Sequence, residues 1–231
     1  MRYDWSGSRI LQEHTSIPSK RCVIGHEDTL VPTDLREWVS VGDHEEIRRV
    51  IRALALPRER DPGTFDRRAE LVWQYVVTST KYVQDPESHR RGDFWQFPAE
   101  TIALRQGDCE DTSFLLATLL LAAEISPFCV RVVFGSVIRA PSGGGEQHAW
   151  VIYKDEAGTW QVLESTLCQW PAAWVPADDA VKTGASPRYL PDICLNGHHV
   201  WQVRRKEIGN VAAYIRGRKR TPKQAPEETM R

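Results

Sequence analysis

Residues 107–112, Gly-Asp-Cys-Glu-Asp-Thr, run directly into an apolar segment that covers residues 114–123. Because this segment is hydrophobic on nearly all sides, the pattern predicts a helix that is buried in a core. Asp108 and the acids after Cys109 suit the first turn of that helix, since carboxylates stabilise its positive N-terminal end. The sequence therefore predicts Cys109 at the start of a buried helix.

The pattern changes to β-branched stretches beyond Pro127. Strands are predicted over residues 130–138, 149–153, 160–163 and 200–203. Glycine-rich residues 142–145 and the turn at residues 155–158 separate the first three of these strands. Helices are predicted upstream, over residues 43–56, 64–82 and 98–105. Helices followed by a run of neighbouring strands predict an α+β fold with an antiparallel sheet.

The turn-rich, charged residues 57–63 indicate a boundary between two parts of the chain. We predict an N-terminal extension with one helix over residues 1–60, a main domain over residues 61–210 and a polar tail over residues 211–231. The length of 231 residues is sufficient for one substantial core with such additions.

Charge and hydropathy exclude several classes of function. Lys and Arg total 30 and Asp and Glu total 31, so no net field attracts the chain to nucleic acid or to anionic membranes. No apolar run approaches the roughly 20 residues that a membrane span needs, and the N-terminus lacks a basic-then-apolar signal pattern. The expectation is a cytoplasmic protein with neither nucleic acid nor a membrane as partner.

The cysteines are odd in number and widely spaced, which predicts reduced thiols rather than a disulfide framework. No cofactor and no metal are predicted. One alternative stays open, because Cys22 with His26 and Cys194 with His198 repeat a spacing that could supply four ligands to zinc. The other interpretation is a hairpin turn at residues 196–197 and cysteines that are small buried hydrophobic residues.

Three residues carry the candidate chemistry. A cysteine is a nucleophile as a thiolate, which the N-terminus of a helix and a nearby imidazolium stabilise. The predicted position of Cys109 provides the helix N-terminus. His148, at the start of a predicted strand, could supply the imidazolium. Glu164, near the end of the next strand, is the carboxylate that could orient the imidazole. Asp155, at the far end of that hairpin, is a less direct substitute.

These motifs together resemble one family. Residues 107–111 (Gly-Asp-Cys-Glu-Asp), 148–151 (His-Ala-Trp-Val), 160–166 (Trp-x-Val-Leu-Glu-Ser-Thr) and the upstream segment 93–98 are similar to the bacterial and archaeal transglutaminase-like cysteine enzymes. The resemblance covers residues 65–205 and implies a papain-related α+β core. In such a core the nucleophile heads a central helix that packs on an antiparallel sheet. The family acid is commonly Asp, so Glu164 is a departure.

The resemblance also implies how the site would work. Cys109 would attack an amide carbonyl and form a thioester, His148 would move the proton, and Glu164 would orient His148. The backbone N–H of Cys109 could donate to the oxyanion, with Gln96 as the side-chain donor and Trp95 as its alternative. The acids that flank Cys109 are interpreted as helix-start residues, and they would oppose thiolate formation.

The fate of the thioester distinguishes the candidate activities. Attack by water makes the protein a cysteine protease or amidase for a peptide or isopeptide bond, which is the expectation here. Attack by a lysine amine would make it a protein-glutamine γ-glutamyltransferase, a crosslinking transglutaminase. A non-catalytic peptide-binding module is the third hypothesis. In each case the partner is a protein or a peptide.

Overall fold

The computed structural model of the chain describes residues 9–10, 16–19, 31–42, 44–58, 61–85, 94–139, 145–166 and 174–203. The helices are α1 (Glu45–Ala53), α2 (Thr64–Ser79), α3 (Pro98–Leu104), α4 (Cys109–Ala122) and α5 (Ala177–Ala180). The strands are β1 (Arg9–Ile10), β2 (Ser16–Ser19), β3 (Val31–Asp34), β4 (Lys81–Tyr82), β5 (Gln106–Gly107), β6 (Val130–Ile138), β7 (Gly145–Lys154), β8 (Trp160–Leu163), β9 (Val175–Pro176), β10 (Arg188–Leu195) and β11 (Val200–Gln202). Short 3-10 turns cover Leu35–Val39 and Pro127–Cys129.

A seven-stranded sheet forms the centre of the molecule, in the order β1-β11-β10-β6-β7-β8-β9. Every neighbouring pair in it is antiparallel. The pairing of β7 with β8 begins where Val151 faces Leu163. Residues 145–150 of β7 therefore extend past the end of β8, and this open edge is where the candidate site lies.

Helix α4 packs on β6 and β7 and is buried along almost its whole length. Its side chains Phe114, Leu115, Leu116, Leu119 and Leu120 have 0% exposure. Burial of a large apolar side chain stabilises a fold by about 1.5–3 kcal/mol. The apolar run that predicted this helix therefore anchors Cys109 on an element that is buried in the core. The α+β fold class, with the cysteine at the N-terminus of a central helix on an antiparallel sheet, is confirmed.

The two faces of the sheet have different neighbours. Ala149, Val151 and Tyr153 belong to the core that contains α4. Trp150 and Ile152 belong to a second cluster on the opposite face, together with residues of β10 and α5. This alternation follows from the two-residue period of a strand.

Helix α1 lies within the predicted N-terminal extension and packs on α3 and α4 through the buried residues Ile47 and Val50. The 3-10 turn before it also contacts α4. The boundaries predicted at residues 60 and 210 stay predictions, and the tail at residues 211–231 lies outside the described residues.

Strand β10 is the longest of the elements that the sequence reasoning missed. Pro191 interrupts its pattern, and the register with β6 shifts between Pro191 and Ile193. The turn before β11 has the predicted hairpin form, with the amide of Asn196 bonded to the carbonyl of His199. Within the part of the chain that the structure covers, each helix is too short or too polar to span a bilayer.

Candidate active site

Cys109 is the first residue of α4, as predicted. Asp111 turns back over the helix start, where its Oδ2 accepts from the amide of Asp108 at 3.3 Å. Gly107 makes room for this turn, because a Cβ there would lie 2.6 Å from the Cβ of Asp111. The local sequence therefore fixes the position of Cys109 at the start of the helix.

His148 and Glu164 form the closest polar pair of the site. The imidazole Nε2 lies 2.9 Å from Oε2 of Glu164, and both side chains are less than a tenth exposed. The ring of His148 stacks on Trp150 with 6.3 Å between centroids. Since Nε2 faces the carboxylate, Nδ1 is the nitrogen that is left for proton transfer.

Glu164 is held from several sides. Its Oε1 accepts from the amide of Thr166 at 3.0 Å and from the hydroxyl of Thr166 at 2.8 Å. Its Oε2 accepts from the hydroxyl of Tyr189 at 2.8 Å. Its main-chain carbonyl accepts from the indole of Trp73 on α2 at 2.7 Å. This network ties the end of β8 to α2 and β10 and fixes the direction of the carboxylate.

The carboxylate of Glu164 is strongly acidic for a buried group. Burial alone would raise its pKa, but the charge of His148 and the hydrogen bonds from His148 and Thr166 outweigh burial and lower the pKa to about 2. Glu164 is therefore ionised at neutral pH and can balance a positive charge on the imidazole.

The thiol of Cys109 has two polar neighbours in this conformation. The Sγ donates to Oε2 of Glu110 at 3.1 Å and accepts from the amide of Ala149. No hydrogen bond joins Cys109 to His148 among the described residues, although Ala149 is the residue next to that histidine. The structure therefore brings the sulfur to the open edge of β7 without bonding it to the imidazole.

The electrostatic surroundings keep this sulfur protonated. Burial and the negative charges of Glu110 and Asp108 raise the pKa of the Cys109 thiol, and only the Ala149 amide opposes them. Burial and the charge of Asp111 likewise raise the pKa of Glu110 to about 7. The expectation that the flanking acids oppose thiolate formation agrees with these directions.

Gln96 and Trp95 lie close to the start of α4. Gln96 is fully buried, and its amide N and Nε2 donate to the two carboxylate oxygens of Asp111 at 2.7 and 2.8 Å. Trp95 stacks on Phe134 with 5.4 Å between centroids and is a core residue. The Nε2 of Gln96 is thus engaged with Asp111 in this conformation, and its oxyanion role stays a prediction.

Asp155, the alternative acid, lies in the turn between β7 and β8. Its carboxylate accepts from the amide of Thr159 and from the side chain of Gln161, both at 2.7 Å. It stabilises the turn, whereas Glu164 is the acid that contacts His148.

The zinc alternative cannot be assembled from the described residues. Cys194 is fully buried on β10, and His198 lies in the turn that follows. Cys22 and His26 lie outside the described residues.

A different group of acids could hold a cation. Single oxygens of Asp85, Asp108 and Asp111 all lie within 4.8 Å of one another. The Oε1 of the fully buried Gln96 accepts no hydrogen bond from the described residues, and its amide is bonded to Asp111. Carboxylate and amide oxygens are the ligands that Ca²⁺ prefers, so this donor set fits a hard divalent cation. The sequence reasoning assigned these acids to the helix start alone.

Tyr82 borders the same acidic end of α4. It is 40% exposed, and its partner in the β4–β5 pair is Gly107. Burial, followed by the charges of Cys109 and Asp108, raises the pKa of Tyr82 to about 12. An uncharged aromatic ring thus lies beside the nucleophile at neutral pH.

Residues 53–165 match the profile described as Transglutaminase-like superfamily. The chain contains a transglutaminase-like domain. Cys109, His148 and Glu164 all lie within the matched residues. No curated protein matches the chain at a significant level.

Solved structures resemble the transglutaminase-like domain in fold. EGTA-treated LapG of Legionella pneumophila is 17% identical with a TM-score of 0.50, over 75% of this chain and 86% of that one. Calcium-bound LapG is 20% identical with a TM-score of 0.49, over 70% and 78%. A Cytophaga hutchinsonii protein, titled provisionally as a cysteine protease, is 14% identical with a TM-score of 0.39, over 70% and 52%.

Proposed function

We propose that this protein is a cysteine-dependent hydrolase that cleaves a peptide or isopeptide bond through a thioester. The observation that carries the proposal is the 2.9 Å contact of His148 with an ionised, buried Glu164 beside the Ala149 amide that contacts the sulfur. An acid, an imidazole and a thiol in this order are the components of a nucleophilic triad.

Cys109, His148 and Glu164, with one water, account for every proton and bond in the proposed reaction. Cys109 transfers its proton to His148 and its sulfur attacks the amide carbonyl, and the amides at the start of α4 can stabilise the oxyanion. His148 then protonates the leaving amine as the C–N bond breaks, which leaves a thioester. A water then gives a proton to His148 as its oxygen attacks the thioester. The C–S bond breaks to release the acid, and His148 returns the proton to the sulfur. Glu164 balances the charge of the imidazolium in both halves.

The thiol first has to leave Glu110. In the present conformation Cys109 donates to that carboxylate and its pKa is raised, so reaction requires the sulfur to turn toward Nδ1 of His148. A substrate carbonyl that enters beside Tyr82 would displace solvent from this edge and strengthen the thiolate–imidazolium pair.

Alkylation of Cys109 tests the proposal. Limiting iodoacetamide at about pH 7.5 should label Cys109 before the half-buried Cys129, because the sulfur of Cys109 can turn from Glu110 toward the imidazole of His148 and react in that conformation. His148→Ala should reduce the labelling of Cys109 to the level of Cys129, as measured by peptide mass spectrometry. Equal labelling of Cys109 in folded wild type and His148→Ala would contradict the enzyme and favour a binding module.

A primary amine separates hydrolysis from transfer. Once a cleaved peptide is found in a library screen, the reaction is repeated with an excess of a lysine analogue, and the product masses are compared. Acid product alone supports the hydrolase. An amide product that grows with amine concentration supports the crosslinking transglutaminase.

We further propose that a divalent cation binds to Asp85, Asp108 and Asp111. Two observations support this site: three carboxylates cluster there, and the buried Oε1 of Gln96 belongs to an amide that is bonded to Asp111. Burial and the charge of Asp108 raise the pKa of Asp111, which shows how costly its ionised form is without a counter-charge. When bound, Ca²⁺ would supply positive charge next to the thiol.

Thermal unfolding with calcium and with EGTA checks the cation site. Calcium at a hundred times its dissociation constant should stabilise the chain by about 2.7 kcal/mol, since it binds the folded state alone. Asp85→Asn should abolish most of the rise in Tm. The exposed Asp61→Asn, which removes an equal charge elsewhere, should keep it. A rise that is equal in all three proteins would disprove a specific site.

A further inference from the structure

Tyr189 contacts the candidate triad from a distant strand. It lies on β10, while His148 lies on β7 and Glu164 follows β8, with β6 between β10 and β7. Its hydroxyl donates to Oε2 of Glu164 at 2.8 Å, and the side chain is buried, with 5% of the residue exposed. A buried phenol that reaches over the sheet to this one carboxylate requires an explanation beyond packing.

The hydrogen bonds to Glu164 divide between its two oxygens. Oε1 accepts both donors of Thr166, whereas Oε2 is shared by the imidazole of His148 and the phenol of Tyr189. An oxygen that accepts from two donors gives less of its negative charge to each. The phenol therefore competes with His148 for the same atom.

The aromatic ring of Tyr189 has a fixed position. It packs edge-to-face on Trp150 with 5.0 Å between centroids, and Trp150 stacks on His148. Burial and the charge of Glu164 raise the pKa of Tyr189 far above its ordinary value, although Arg139 opposes them. The hydroxyl therefore stays protonated and donates throughout the neutral range.

We propose that Tyr189 is a positioning residue that acts through Glu164 and limits how tightly this acid holds the imidazolium of His148. The inference rests on the proposed function, in which His148 carries the proton. An acid that held the imidazolium too tightly would slow protonation of the leaving amine. Because Oε2 is shared with Tyr189, Glu164 holds the imidazolium less tightly and His148 can release its proton.

The groups around Glu164 predict the sign of the effect. Thr166 keeps the carboxylate in place through Oε1, so loss of the phenol frees Oε2 for His148 alone. Arg139 acts on the phenol, while Cys109 and Glu110 lie across the open edge of β7 and are unchanged by the substitution. Without the phenol, the imidazolium should persist to higher pH.

The test is an NMR titration of the His148 imidazole in wild type and Tyr189→Phe, with the full chain and no substrate. We expect the protonation midpoint of His148 to rise by about half a pH unit or more, as loss of one hydrogen bond to a charged group allows. Tyr153→Phe is the matched control, because Tyr153 is equally buried and donates to the carboxylate of Asp66 at 2.7 Å. A midpoint that is unchanged or lower in Tyr189→Phe would overturn the proposal.

A second measurement remains decisive if Tyr189→Phe does not fold. Wild type that carries 3-fluorotyrosine has more acidic phenols, so Tyr189 should donate more strongly and the midpoint of His148 should fall. An unchanged or raised midpoint would overturn the proposal. Both titrations report on the His148–Glu164 pair without any reaction, so failure of the hydrolase in the alkylation experiment is distinguishable from failure of this inference.

Discussion

Replacement of Glu164 by glutamine is expected to lower the turnover of an amide substrate by roughly a thousandfold. Glutamine has nearly the same size, but it carries no charge to balance the imidazolium of His148, and its NH₂ group can face the imidazole with a donor. The contact that is lost is the 2.9 Å pair between Nε2 and Oε2. The measurement is kcat/KM of wild type and Glu164→Gln on the same peptide.

Asp155→Asn is the control for this substitution. Asp155 stabilises the β7–β8 turn through Thr159 and Gln161 and has no contact with His148 among the described residues. Its turnover should stay within about twofold of wild type, because the amide oxygen can still accept from the backbone of Thr159 and the bond lost to Gln161 lies in the turn. A loss in Asp155→Asn as large as that in Glu164→Gln would reassign the triad acid.

Stability gives an independent readout of the same substitution. The pKa of Glu164 is about 2 in the folded chain, below its ordinary value of 4.5, so its ionisation stabilises the fold. This contribution is complete above pH 4.5 and is lost as the pH falls toward about 2. Urea midpoints of Glu164→Gln should therefore decline less than those of wild type over that acid range.

Gly135→Ala is expected to destabilise the fold by roughly 3 kcal/mol or more. A Cβ on this residue would lie 2.2 Å from the carbonyl oxygen of Leu190 and 2.9 Å from the ring of Trp150. The carbonyl belongs to the backbone of β10, so the strands would have to separate. Displacement of Trp150 would also disturb the contacts of this ring with His148 and Tyr189.

Gly145→Ala is the matched substitution in the neighbouring strand. A Cβ at Gly145 would meet Ser136 at 3.6 Å and Ile138 at 3.9 Å, which are ordinary contacts. The free energy of unfolding, measured in urea, should change by less than about 0.5 kcal/mol for this variant. Equal losses in both variants would show that the close approach at Gly135 does not set the cost.

The central helix and three of the central strands could be predicted because their signals are local. The run after Cys109 is apolar on nearly all sides of a helix, and the stretches around His148 and before Glu164 are rich in β-branched residues. Strand β10 has no such signal, since Pro191 breaks its pattern and the register shift accommodates the break. The contact of Tyr189 with Glu164 could therefore not be predicted from the sequence, because it depends on how β10 pairs with β6.

The acids beside Cys109 have contacts that could not be predicted from the sequence for a different reason. Asp111 was interpreted as a helix-start residue, and it does bond the amide of Asp108. Its second role, as acceptor for both donors of Gln96, requires the loop before α3 to fold back on the helix. Residue spacing carries no information about that contact, and so the possible cation site was also missed.

The contact between the Cys109 thiol and Glu110 has a consequence for damage by oxidants. Peroxide attacks thiolates far faster than thiols, and the first product is a sulfenic acid. A sulfur that burial and two neighbouring carboxylates keep protonated is a poor target for that reaction. We therefore expect peroxide to oxidise the resting protein slowly, through the fraction of molecules in which the sulfur has turned from Glu110 toward His148.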